Sequence, residues 1–304
     1  MSEKNTADKA YFHLPGLFEF YEFYKVFLPL FKEYREYFYD GCDIGSIYGA
    51  PEGCIFNGGR FEAGEASTRE VLELLGKYDI SARLTFSNSC ISQKHLSDTV
   101  GNELLRSFET GGCGRNGVIV HSEALLGHIR ENYPALYLVS STTKVITDFD
   151  LLRKELERDE FDFVVPDFRL NKAFGRFEAL PESHRAKLEM LCNECCDINC
   201  AARKECYENV SRRMLGENCP EFTCRGRYGS EGYVFSRAME NESFISPKDI
   251  REKYMPRGIN QFKLEGRGLG SALLLEILLY YMVKEDYRLK VREAIYLDSM
   301  LDLF

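Results

Sequence analysis

Five cysteines fall between positions 192 and 206 in "LCNECCDINCAARKECYENVSRR", and Cys219 and Cys224 follow in "NCPEFTC". Seven of the chain's eleven cysteines thus lie within 33 residues. Thiols bunched in this way bind a metal, cycle between redox states or pair as disulfides. Cys196 and Cys200, spaced C-x3-C, can approach one ion from a single helical turn or a tight loop. Cys206 follows at C-x5-C, and Cys219 with Cys224 makes a C-x4-C pair. An iron–sulfur cubane needs four thiolates converging on a small volume, commonly three from one segment and one from elsewhere. Zinc also accepts four cysteines, usually as two knuckles, and Cys219 with Cys224 supplies the second. Spacing alone leaves the two metals level. Cys192 and Cys195 read as buried or outer-lying thiols, and Cys42, Cys54, Cys90 and Cys113 mainly as small core residues.

A second group of reactive side chains stands just beyond apolar runs. Asn57 and Arg60 lie in "FNGGR", Asn88 in "TFSNS", and Asp167 and Asn171 in "VVPDFRLN". Asn193 and Glu194 lie in "LCNE", and Glu265 and Arg267 in "KLEGR". Singly, each reads as a loop cap or a turn residue. Together they offer amides, carboxylates and guanidinium groups, a set that suits a polar, anionic small substrate or a nucleobase. Arg60, Arg203 and Arg267 can hold a carboxylate or phosphate by paired hydrogen bonds. Glu194 and Glu265 can serve as acid–base groups where burial raises their pKa, with Asn88 and Asp167 as further catalytic candidates. The competing reading makes the same charges a salt-bridge network that holds a rim together.

Such a rim needs elements to carry it, and the chain supplies an alternation of short β-like runs and amphipathic helices. The runs are 43–49, 81–88, 117–122, 135–141, 161–168, 186–191 and 261–267. Between them, Ser67 and Glu70 have capping-box spacing, Ser122 reads as an N-cap, and Pro247 stands in the first turn of another helix. This alternation predicts βαβ units and a parallel sheet. No glycine fingerprint of a dinucleotide fold follows an early strand, so a TIM-like (β/α) barrel is expected, incomplete or distorted because only six or seven strands are visible. Its cysteine-rich segment, 191–228, is an insertion after a late strand, within one domain spanning 1–304. The aromatic segment 12–40 reads as core-packing helix, kinked or broken at Pro29. An open doubly wound sheet is the alternative. In a barrel, functional side chains gather at the C-terminal ends of the strands.

Composition narrows the partners. A formal charge of −9 argues against coating nucleic acid by bulk attraction. The longest apolar run, 269–283, is interrupted by Glu276 and is too short to span a bilayer, so a buried helix is expected. No signal-peptide pattern opens the chain, and a cytoplasmic location is expected, where clustered thiols serve metals or redox chemistry.

Several motifs occur in the order found in the collagenase-like peptidase family, which the chain resembles from about residue 12 to 285. They are "YGAPEGCIFNGGR", "RLTFSNS", "FDFVVPDFRLNK", "MLCNECCDINCAARKECYENVS" and "INQFKLEGR". Asn-Glu-x-Cys-x3-Cys (193–200) and Lys-x-Glu-Gly-Arg (263–267) are the most specific. The resemblance implies an iron–sulfur barrel of the type that includes oxygen-independent hydroxylases acting on RNA bases or quinone precursors. It tips the metal toward a [4Fe–4S] cluster, with zinc as the alternative; among the spaced thiols Cys196, Cys200, Cys219 and Cys224 are the favoured ligands and Cys206 the substitute. Two features depart from the family: Cys206 stands where a histidine is common, and the chain is short of the C-terminal domain some relatives add. RNA targeting is left without support.

The expectation is therefore an iron–sulfur-dependent cytoplasmic redox enzyme for a small polar or anionic substrate. It is supplied by an electron-donor protein or paired in a hetero-oligomer with a related barrel. A peptidase-like hydrolase is a rival, although none of the five histidines lies in a recognisable nucleophile or H-E-x-x-H motif. A metal-binding accessory subunit without its own chemistry is the other rival.

Overall fold

The computed structural model describes residues 9–59, 64, 66–220, 222–224 and 232–296. Among them are eight strands: β1 (Ala10–Pro15), β2 (Cys42–Gly49), β3 (Ser81–Phe86), β4 (Gly117–Val120), β5 (Tyr137–Ser140), β6 (Phe163–Val164), β7 (Glu189–Leu191) and β8 (Gln261–Lys263). All seven strand pairings are parallel, in the order β6-β5-β4-β3-β2-β1-β8-β7. The two end strands are brought edge to edge, where one isolated parallel bridge joins Val164 to Leu188. The fold is thus a TIM-like (β/α) barrel with one unsealed seam, between β6 and β7.

Helices fill the crossovers. After β1 comes α1 (Tyr21–Glu33); α2 (Thr68–Lys77), α3 (Thr99–Thr110), α4 (Glu123–Asn132) and α5 (Phe149–Leu156) follow β2 to β5 in turn. Two short helices, α6 (Phe174–Glu178) and α7 (Glu182–Lys187), link β6 to β7. The long return from β7 to β8 holds α8 (Arg203–Met214), α9 (Phe235–Met239) and α10 (Pro247–Asp249), and α11 (Ser271–Met282) and α12 (Arg288–Ile295) finish the wall. The capping box at Ser67 and Glu70 and the N-cap at Ser122 form as expected.

Strand alternation divides the molecule into two layers. Outward residues such as Phe12, Leu14, Leu84, Phe86, Val118 and Phe262 pack under the helices. Inward residues Tyr48, Ile119, Tyr137, Val139, Val165 and Leu191 fill the bore. The apolar run near 269–283 becomes α11, buried on most faces, with Glu276 paired to Arg292 of α12 at 2.8 and 2.9 Å. Among the described residues no helix is long and apolar enough to cross a membrane.

Two sequence expectations are corrected. The aromatic segment does not begin as helix at residue 12: residues 10–15 are β1, which pairs with both β2 and β8 and raises the strand count to eight. Pro29 does not break α1, which runs unbroken from Tyr21 to Glu33. Its ring sits on a helix held from one side by a ladder of aromatics. Phe23 stacks on Phe27 at 5.5 Å and Phe27 on Phe31 at 6.2 Å, spacings that follow from i, i+4 neighbours.

Candidate functional site

The floor of the site is a layer of charged side chains inside the bore. Arg83 donates from Nη1 to Glu189 Oε2 at 2.5 Å and from Nε to Tyr137 Oη at 2.6 Å. Lys263 Nζ lies 3.4 Å from Glu189 Oε1 and 3.5 Å from the centre of the Tyr48 ring. His13 bridges Ser46 Oγ at 2.8 Å and Gln261 Oε1 at 3.0 Å. Burial raises the Glu189 carboxyl, but Arg83 and its neighbours pull harder and hold it well below the carboxylate range. Burial, followed by the Arg83 charge, depresses His13 to about 3, so the ring is neutral. Burial likewise lowers the Lys263 ammonium to about 8, with Glu189 opposing and Arg83 and Arg267 reinforcing the shift.

Above this floor a cavity of about 740 Å³ opens at the C-terminal ends of the strands. Tyr48, Thr85, Lys263, Glu265 and Arg267 form its strand-side wall. Residues 263, 265 and 267 share one face because side chains alternate along β8 and its continuation. Arg267 donates from Nη1 to Thr85 Oγ1 at 3.2 Å. A Cβ at Gly59 would fall 2.4 Å from that nitrogen, so glycine leaves room for the guanidinium.

The opposite wall is the segment that follows β7. Cys195, Cys196, Cys200, Cys206 and Cys224 line the cavity with Arg203 and Tyr207. Glu194 opens this segment by accepting from the amides of Cys195 and Cys196 at 3.0 and 2.9 Å. Asn241 Nδ2 donates to the Cys196 carbonyl at 2.9 Å, and Arg169 Nη1 to that of Cys200 at 3.2 Å. Helix α8 is fastened across the mouth by Ser211, whose Oγ accepts from Ser89 N at 3.0 Å. None of the eleven cysteines is in a disulfide. Cys219 is absent from the cavity lining; its Sγ lies 3.9 Å from the Asn209 carbonyl oxygen. Cys42 and Cys192 are buried, and burial drives both thiols upward. Among the described residues no three His, Cys, Asp or Glu side chains converge as a ready metal site.

The predicted rim residues divide into two sets. Arg203, Glu265 and Arg267 face the cavity. Asn57, Asn88, Asp167, Asn171, Asn193 and Glu194 are buried in its supporting structure. Asn57 Oδ1 accepts from Gly59 N at 3.0 Å and Thr85 Oγ1 at 3.2 Å. Asn88 Nδ2 donates to the carbonyls of Ile55 at 2.8 Å and Ser211 at 3.1 Å. Across the seam, Asn171 Nδ2 donates to Leu191 O at 2.8 Å and to Ser243 O at 2.9 Å. Asp167 holds Arg169 at 2.6 Å and stands 3.4 Å from Arg203 Nε, while Arg203 Nη2 reaches Glu194 Oε2 at 2.5 Å. These polar pairs stitch the joint that the strand ladder leaves open. Arg60 lies outside the described residues. Lys263, Tyr48 and Thr85 were not anticipated; the inward alternation that selects Glu265 and Arg267 also selects Lys263.

Comparison of folds matches the chain to a solved structure described as the U32 peptidase Mk0906. The TM-score is 0.52 at 14% identity, over 88% of this chain and 96% of that one. At this identity the likeness is one of fold. No protein-family model matches the chain, and no curated protein does.

Proposed function

We propose that the chain is a cytoplasmic redox enzyme of the collagenase-like type that binds a small anionic substrate in the barrel-mouth cavity and carries a [4Fe–4S] cluster on the same wall. The observation that carries this reading is the meeting of five thiols with Lys263, Glu265, Arg267 and Arg203 around one cavity. The donor chemistry suits the group, because Cys196, Cys200, Cys206 and Cys224 are cavity-lining thiols outside any disulfide. These four would hold it, and binding would draw them together from positions that do not yet converge. A bound cluster of this kind takes up and gives back single electrons. The chain's own residues do the rest. Arg267 and Arg203 present guanidinium groups to a carboxylate or phosphate, and Nη1 of Arg203 is buried without a hydrogen-bond partner among the described residues. Glu265 exchanges a proton with the substrate. A reducing compartment keeps the thiols available, and electrons come from a donor protein or a related barrel.

The test is anaerobic purification with iron and acid-labile sulfide quantified per chain, repeated on Cys196→Ala and Cys200→Ala. Iron and sulfide in equal amounts, lost in both variants, support the reading. Zinc, or no metal with variants that change nothing, overturns it. A peptidase-like hydrolase is the second reading, supported by the description of the fold neighbour. It expects peptide cleavage that persists when iron is absent.

A further inference from the structure

Among the described residues Lys263 is the one cavity-lining cation rooted in the bore. It ends β8, is 7% exposed, and opens onto the cavity. Among the described residues Glu189 is the carboxylate in ion-pair reach, and that carboxylate is already engaged by Arg83 at 2.5 Å, against 3.4 Å to Lys263. The groups facing Lys263 are Glu189 from β7, Arg83 from β3, His13 from β1 and Tyr48 from β2, with Glu265 and Arg267 on the same face beyond β8. His13 is neutral, so the cations Arg83 and Arg267 flank an amine whose ion-pair partner, Glu189, is shared with Arg83. A lysine that is desolvated and set beside other cations is an activated nucleophile toward carbonyl carbon. Above it, Arg267 lines the same cavity with Thr85 fixing its orientation, which suits a carboxylate on the reacting molecule.

We infer that Lys263 is a reactive amine that forms an imine with a small 2-oxo acid held in the cavity by Arg267. The Nζ lone pair attacks the carbonyl carbon, and the carbonyl π bond opens onto oxygen. The two amine protons leave with that oxygen as water while the C=N bond forms. No oxidant or reductant is required. The inference rests on the cavity as a substrate site and not on the thiols, so metal analysis and imine trapping can fail independently.

The experiment treats the purified full chain with pyruvate and sodium cyanoborohydride, whose hydride reduces the imine to a stable secondary amine. Peptide mapping then reads the modified lysine. Labelling of Lys263 should exceed that of any other lysine by about tenfold or more at neutral pH, given its larger neutral fraction. The rate should rise through about pH 8, the value to which burial lowers the amine. Acetone, lacking the carboxylate, should label more slowly, and Arg267→Met should erase the difference between the two probes. Lys263→Met should remove the adduct. Labelling spread evenly over exposed lysines, no incorporation, or undiminished incorporation into Lys263→Met would overturn the assignment. Acetone equal to pyruvate would overturn the 2-oxo acid. The map of the wild-type chain decides the matter even where a variant does not fold.

Discussion

Asn193 and Glu265 exchange two hydrogen bonds: Nδ2 of Asn193 donates to the Glu265 carbonyl at 3.0 Å, and the Glu265 amide donates to Asn193 Oδ1 at 2.7 Å. The carboxamide imitates a peptide group and carries the β7–β8 pairing past the end of β7. Tyr233 adds to the arrangement by donating to the Asn193 carbonyl at 3.1 Å. Asn193→Ala leaves buried groups unmatched and should cost about 1–3 kcal/mol of stability. Urea unfolding followed by far-UV circular dichroism checks this, since the chain has no tryptophan.

Removing the charge of Arg203 should be costlier. Its guanidinium faces both Asp167 and Glu194 in a site shielded from water. Arg203→Met takes the guanidinium partner from two buried carboxylates, leaving Asp167 to Arg169 and Glu194 to the amides of Cys195 and Cys196, and should destabilise the fold by roughly 3–5 kcal/mol. The double variant Arg203→Met/Glu194→Gln should recover a measurable part of that loss in the same unfolding experiment.

His13 makes stability depend on acidity. Its folded-state pKa is near 3, set first by burial and then by Arg83, against 6.5 for an ordinary imidazole. Between these values the unfolded chain binds a proton that the folded chain does not. Stability therefore falls as pH drops from about 6.5, with a slope from this group approaching roughly 1.4 kcal/mol per pH unit. His13→Gln should flatten that component of the urea-midpoint profile between pH 7 and 4. An unchanged slope would show that the ring is not the source.

Metal retention should separate the thiols by where they point. Cys200 lines the cavity, and Cys219 does not. Cys219→Ser should keep its iron per chain, while Cys200→Ser should lose it, as read by elemental analysis of anaerobic samples. Loss in Cys219→Ser would return that residue to the ligand set its spacing suggested.

Much of the barrel is legible from pattern. The runs at 43–49, 81–88, 117–122 and 135–141 become β2 to β5 because apolar residues on both faces are buried, outward under helices and inward in the bore. β1 is harder to see: "AYFHLP" carries an inward His13 and runs straight into an aromatic helix pattern. β6 pairs over only two residues of its eight-residue run, because the seam removes one neighbour. The polar residues past the strands are visible too, but their two roles are not separable in sequence. Asn171 at a joint and Arg267 at a cavity both require a polar side chain beyond a strand, and only the closing geometry tells them apart. Lys263 hides for the opposite reason, standing inside a run that reads as strand.

The gap between β6 and β7 is fastened by Asn171, Asp167 and Arg203 in place of a continuous ladder. A zip made of side chains can part and re-form without tearing any of the seven strand pairings. The segment bearing the thiols hangs from the β7 margin of that gap. A rearrangement of that segment asks only for the release of a few polar clasps, and the rest of the cylinder keeps its shape.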